Sequence, residues 1–139
     1  MNIIVVTTDQ DKKVRALGHE IADCVRAQCV SPESFDENAV YDLVVIGFSC
    51  RGKAKKKADA FVQKLDRAHV HNVALFSAFC FSNKLMAHVI DTCKACDLPL
   101  MREQYICKIK PFAKCLPAGV VDTARSYITD MVTVCRDYY

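Results

Sequence analysis

The 139-residue chain has no apolar run long enough to cross a bilayer. Stretches such as Leu43–Ile46 fall far short of the roughly 20 residues a spanning helix needs. No basic leader precedes an apolar stretch near Met1, which runs almost directly into Ile3-Ile4-Val5-Val6, so the expectation is a cytoplasmic protein without an export signal. No linker, internal repeat or low-complexity tract is visible, which predicts one domain over residues 1–139. Charge of either sign is not in great excess, and a net +3 does not by itself suggest nucleic acid. A second Cys-x-x-Cys is missing, so Cys93-x-x-Cys96 has no partner for a four-thiolate zinc or iron–sulfur site.

What is present favours a packed core. The apolar fraction of 52% and charged fraction of 25% exclude global disorder and leave enough apolar surface to fold without disulfides or metals. The nine cysteines therefore read as free thiols in a reducing compartment, many standing where a small apolar residue would serve. Cys93 and Cys96 fall near the end of a predicted helix, beside its apolar stripe. Redox dithiols instead use a helix N-terminus, where the dipole lowers the thiol pKa, so packing is the better reading. His19, His69, His71 and His88 fall on helices or a helix-to-strand turn, and none pairs with a Ser or Cys nucleophile in a recognisable motif.

Asn2–Thr8, Asp42–Phe48 and Asn72–Phe79 each contain an unbroken apolar run rich in β-branched residues, the pattern of strands covered on both faces. Gln104–Lys110 alternates, with Tyr105, Cys107 and Ile109 on one face and Ile106, Lys108 and Lys110 on the other, as a half-covered edge strand would. A short strand near Cys29–Ser34 is also expected at an edge, because Pro32 cannot donate to a ladder. Helical stripes lie between them: Val14, Leu17, Ile21, Cys24 and Val25; then Ala58, Phe61, Val62, Leu65 and Ala68; then Leu85, Met86, Val89, Ile90 and Cys93. The last is Ala124, Tyr127, Ile128, Met131, Cys135 and Tyr138. Strand and helix in steady alternation predict right-handed crossovers and a parallel α/β sheet with helices on both faces. In such sheets ligands bind beyond the carboxyl ends of the strands, which singles out the loops 7–13, 48–53 and 77–84.

Tyr41-Asp42-Leu43-Val44-Val45-Ile46-Gly47-Phe48, then Gly52-Lys53 and a helix, then Asn72-Val73-Ala74-Leu75-Phe76-Ser77, stand in an order and spacing that resemble the flavodoxin family. Tyr105-Ile106-Cys107-Lys108 followed by a long final helix is similar to that family's end. The resemblance implies a flavodoxin-like three-layer sandwich, a five-stranded parallel sheet of order 2-1-3-4-5, and a site for flavin mononucleotide (FMN) at the three loops.

On that resemblance, the first loop, Thr7-Thr8-Asp9-Gln10-Asp11-Lys12, corresponds to the phosphate cradle, with Thr7 and Thr8 supplying hydroxyls and Lys12 charge at a helix N-terminus. The usual glycine is absent, and Asp9 and Asp11 bring negative charge. Read without the resemblance, Asp11 is an ordinary N-cap. The second loop, Ser49-Cys50-Arg51-Gly52, has Cys50 where the family presents an aromatic to the flavin ring, with Phe48 or Arg51 as partial substitutes. The third, Ser77-Ala78-Phe79-Cys80-Phe81-Ser82, holds two aromatics and polar groups suited to the ring and its edge; Phe79 and Phe81 also suit core positions. Cys50 and Cys80 fall at the same end of the sheet, either as a reactive thiol pair or as unrelated cysteines.

Arg51, Lys53, Lys55, Lys56 and Lys57 form a basic cluster at the predicted mouth, opposing the dipole of the helix they begin. A solvated helix start and a binding rim both fit. Many flavodoxins are acidic here, so a partner with an acidic docking surface, or an anionic ligand, suits this chain better. The leading expectation is an FMN-binding electron carrier working between a reductase and an acceptor protein. The alternatives are a flavin-free module that docks a protein, and a small flavin-dependent reductase, for which no lid insertion is evident.

Overall fold

The computed structural model describes residues 1–138, with the backbone alone at Tyr138; the predicted core-facing side chain of Tyr138 therefore lies outside the described residues. In chain order the elements are β1 (Ile3–Thr7), α1 (Lys12–Cys24), β2 (Gln28–Val30), a 3-10 turn (Pro32–Ser34), β3 (Leu43–Ser49), α2 (Ala54–Val62), β4 (Val73–Phe79), α3 (Lys84–Ala95), β5 (Tyr105–Lys108) and α4 (Ala118–Tyr138). All strands run parallel in the order β2-β1-β3-β4-β5. This is the expected three-layer sandwich, and the order reverses between β1 and β3.

The unbroken apolar runs are explained by burial on both faces. Val5, Leu43, Val45, Ala74 and Phe76 pack under α1 and α4. Ile4, Val6, Val44, Ile46, Phe48, Val73 and Leu75 face α2 and α3. Phe48, Phe61 and Phe76 have almost no solvent exposure, and removing each from water stabilises by about 1.5–3 kcal/mol. On β5 only Cys107 is buried, followed by Ile109 just beyond the strand, while Ile106 and Lys108 face solvent, as the alternation predicts for an edge. Tyr127 on α4 donates its hydroxyl hydrogen to the Glu103 carbonyl at 2.8 Å, tying the last helix to the approach to β5.

Three expectations shift. The β2 strand stops at Val30 rather than reaching Ser34, because Pro32 lacks an N–H and begins the 3-10 turn instead. The α2 stripe breaks after Val62: Lys64 and Leu65 donate to carbonyls three residues back, and the Asp66 carboxylate takes the His69 N–H at 3.0 Å. Leu65 still reaches the core from this turn, whereas Ala68 is exposed. On α1, Cys24 points outward, with its Sγ 3.7 Å from Thr129 Oγ1.

The chain leaves α1 through Arg26 at φ 57°, with the Ala27 N–H reaching back to the Ala22 carbonyl at 2.8 Å. This left-handed exit suits glycine. Arg26→Gly is expected to raise stability by about 0.5–1 kcal/mol, measured by urea denaturation; a loss of stability would show that the Arg26 side chain contributes more than its backbone costs.

Candidate functional site

The loops that follow β1, β3 and β4 converge at the carboxyl edge where the strand order reverses. Thr7, the last residue of β1, is buried, with its methyl against Gly18 of α1. Thr8 is also buried: its hydroxyl donates to the Gly47 carbonyl at 3.2 Å and its N–H to the same oxygen at 2.9 Å. The Thr8 hydroxyl is thus turned into the protein rather than toward the edge.

Asp9 links two loops. Its Oδ1 accepts the Asp11 N–H at 3.1 Å, and its Oδ2 accepts both the Ser49 N–H at 2.9 Å and the Ser49 hydroxyl at 2.6 Å. Ser49 is nearly inaccessible to water, so without Asp9 its N–H would lose its partner, a loss worth about 1–3 kcal/mol. Asp11 caps α1, accepting from the Lys13 and Val14 N–H groups at 3.0 Å each, and its other oxygen pairs with Arg51 at 3.1 Å. The positive end of α1 is therefore already met by the chain's own carboxylate. Gln10 and Lys12 are exposed.

After β3 the chain turns through Gly52 at φ 63°, a conformation that favours glycine, and enters α2 at Lys53 with no side-chain cap. The Cys50 thiol lies 3.3 Å from the Ser77 oxygen, and the Ser77 hydroxyl donates to the Phe48 carbonyl at 2.7 Å. At the end of β4 Ala78 is buried and Phe79 half-buried, and just beyond it Cys80 is half-buried and Phe81 is 86% exposed.

A cleft of about 100 Å³ opens between the second and third loops. Of the predicted residues, Asp11 from the first loop, Ser49, Cys50 and Arg51 from the second, and Ala78, Phe79, Cys80 and Phe81 from the third line it. Asp9, Gln10 and Gly52 line an adjoining groove of about 350 Å³ with Lys53 and Lys57. Thr7 and Thr8 line neither, and Ser77 sits beneath the cleft floor. Lys13, the last residue of the first loop singled out but not one of the site residues named from it, also lines the cleft, as does Ile109, which sequence reasoning missed. The signal for Ile109 was its place just past the carboxyl end of β5. Lys13 is held there by Nζ donating to the Lys110 and Pro111 carbonyls at 2.8 and 3.2 Å.

No protein-family model and no curated protein matches the sequence. Among solved structures, an archaeal flavodoxin superposes with a TM-score of 0.72 at 12% identity, covering 98% of this chain and 99% of that one. A flavodoxin of Streptococcus pneumoniae TIGR4 gives 0.73 at 7% identity, covering 94% and 97%. The Flv1 flavodiiron core of Synechocystis sp. PCC6803 gives 0.74 at 10% identity, with all of this chain matching 37% of that larger protein. The chain has the flavodoxin fold. Identities this low carry the fold and nothing finer.

Within this flavodoxin fold the thiols separate by environment. Burial pushes the Cys93 thiol up to about 12, with Cys96 and Asp59 adding to the effect, and burial pushes Cys107 up to about 11. Cys93 therefore packs the end of α3, and its thiol is shifted in the direction opposite to that of a redox dithiol's nucleophile. With a neutral aromatic disulfide reagent, we expect Cys24 and Cys115 to react fast, Cys50 and Cys80 more slowly, and Cys93 and Cys107 only on unfolding. Fast labelling of Cys93 in the native protein would contradict this. The raised values also set a pH dependence. Below about pH 9 the folded and unfolded thiols are both protonated; above it the unfolded chain loses its protons first, so stability falls as pH rises toward 11–12. Denaturant midpoints measured under reductant should decline from pH 8 to 10.

Proposed function

We propose that this chain is an electron-transfer protein that holds a flavin by its ring, in the cleft between Cys50-Arg51 and Phe79–Phe81. The observation that carries the reading is the cleft's position beside the strand-order reversal together with the aromatic in its lining: Phe81 is 86% exposed and lines the cleft along with Arg51. A planar ring slotted between the two loops would cover Phe81, and stacking of that kind contributes about 0.5–1.5 kcal/mol beyond the area buried. The Asp11 carboxylate offsets Arg51 in the lining and leaves Lys13 as the net positive charge there, which favours a reduced, anionic ring over a neutral one. A bound flavin would supply the one- and two-electron chemistry; the chain supplies the slot, the charge and shielding from water.

The phosphate of FMN does not fit the first loop. The N–H groups of Lys13 and Val14 are capped by Asp11, the Thr8 hydroxyl is spent on the Gly47 carbonyl, and the Asp9 and Asp11 carboxylates occupy the ground an anion would need. Recognition through the ring makes the phosphate dispensable. The test is a side-by-side titration with riboflavin and FMN under reducing conditions, read by quenching of flavin fluorescence. Saturable binding of both, with affinities within about threefold, is expected. A strong preference for FMN would mean that the first loop rearranges into a cradle.

The closed first loop also favours a second reading, a flavin-free module of this fold that docks a protein. Absence of binding at roughly millimolar concentrations of either flavin, a free energy weaker than about −4 kcal/mol, would sink the flavin reading and leave this one.

A further inference from the structure

We infer that the carboxyl edge of the sheet is a docking face for an acidic protein surface that carries an apolar patch. Two observations meet there. The first is charge. Lys53, Lys55 and Lys57 begin α2, Lys84 begins α3, and Lys110 and Lys114 stand in the loop after β5, all exposed. The loops 8–11, 50–53, 80–83 and 109–117 hold only two carboxylates, Asp9 and Asp11, and both are spent on internal hydrogen bonds and the Arg51 pair. Asp42, Asp66, Asp97 and Glu103 lie instead at the opposite edge, where strands begin and helices end. Glu33, in the turn after β2, shares a groove with Lys57, and Arg26, Arg67 and Arg102 stand at the opposite edge, so the surplus of positive charge is confined to the β3–β5 side of the carboxyl edge.

The second observation is apolar. Phe81 and Phe112 are 86% and 94% exposed, and they sit on the loops that follow the neighbouring strands β4 and β5. Aromatic groups ringed by charge are the usual composition of a protein interface, with the aromatics in the centre and charge at the rim. The positive rim steers and orients a negative partner. Nucleic acid would meet the same lysines, but the mixed character of the face and its two free aromatics favour a protein.

Phe81 lines the cleft and would be covered by a ring bound there, but Phe112, Lys84 and Lys114 lie outside it, so the face keeps an exposed aromatic and a basic rim with or without a flavin. The test uses the purified chain and a fluorescein-labelled synthetic peptide in which two leucines interrupt a run of glutamates, followed by anisotropy. An all-glutamate peptide and an oligothymidylate are run beside it. Binding of the leucine-containing peptide that falls steeply with salt is expected. About tenfold weaker binding is expected for the all-glutamate peptide, for Phe112→Ser, and for Lys84→Glu combined with Lys114→Glu. Circular dichroism and the riboflavin titration should be unchanged in these variants. The inference is overturned if the peptide fails to bind at roughly millimolar concentration, if the variants bind it as well as the parent does, or if the oligothymidylate binds more tightly.

Discussion

Gly47→Ala is expected to cost about 3 kcal/mol or more of folding stability, at the upper end of what overpacking a core produces. A methyl group at position 47 would come within 2.1 Å of Phe76 Cζ and 2.5 and 2.6 Å of its two Cε atoms. The ring cannot step aside: Phe76 is fully buried, pairs directly with Gly47 in the ladder, and on its far side approaches Gly18 of α1. Gly47 is needed because the Phe76 ring lies flat across β3. Urea denaturation of Gly47→Ala tests the size of the effect. Gly47→Ala combined with Phe76→Leu should be more stable than the sum of the single losses predicts, since a smaller side chain removes the clash. Strict additivity in that double-mutant cycle would show that the clash is not the cause.

Asp9→Asn combined with Asp11→Asn is expected to tighten FMN binding by about tenfold to thirtyfold while leaving riboflavin binding unchanged. Asparagine keeps an oxygen for the helix cap but removes two negative charges from the ground where a phosphate would sit. Each like-charge contact at about 4 Å costs about 1 kcal/mol even in water. Loss of the Asp11 carboxylate also releases Arg51, now held at 3.1 Å, as a cation for the phosphate. The titration of both flavins against the variant decides it. If FMN gains nothing over riboflavin, the carboxylates are not what excludes the phosphate. If both ligands weaken together, the substitutions have disturbed the cleft through the Asp9–Ser49 bridge.

Most of the architecture could be read from local pattern. The runs at Ile3–Val6, Leu43–Phe48 and Val73–Phe76 are apolar on both faces because each residue in them packs against one helical layer or the other. The alternation over Tyr105–Lys108 marked an edge for the complementary reason. Where local pattern misled, at Leu65–Ala68, helical spacing persisted past the point where a turn had taken the chain's hydrogen bonds. The resemblance to flavodoxins supplied the strand order, which periodicity alone does not contain, and the pairing of β1 with both β2 and β3 agrees with it.

The sequence by itself determined which segments are strands and helices, that the sheet is parallel, and that the loops at its carboxyl edge deserve scrutiny. These follow from side-chain periodicity and from the handedness of crossovers, both properties of neighbouring residues. Only the tertiary structure decided what those loops do. Whether the Thr8 hydroxyl faces outward depends on a Gly47 carbonyl 39 positions away, and whether Asp9 repels an anion or anchors a loop depends on Ser49, 40 positions away. The exposure of Phe81 and Phe112 likewise depends on which neighbours the fold brings over them, and the described residues leave both largely bare. A polar or aromatic side chain in a loop takes its role from the partner that strand register sets beside it, and register is a property of the assembled sheet.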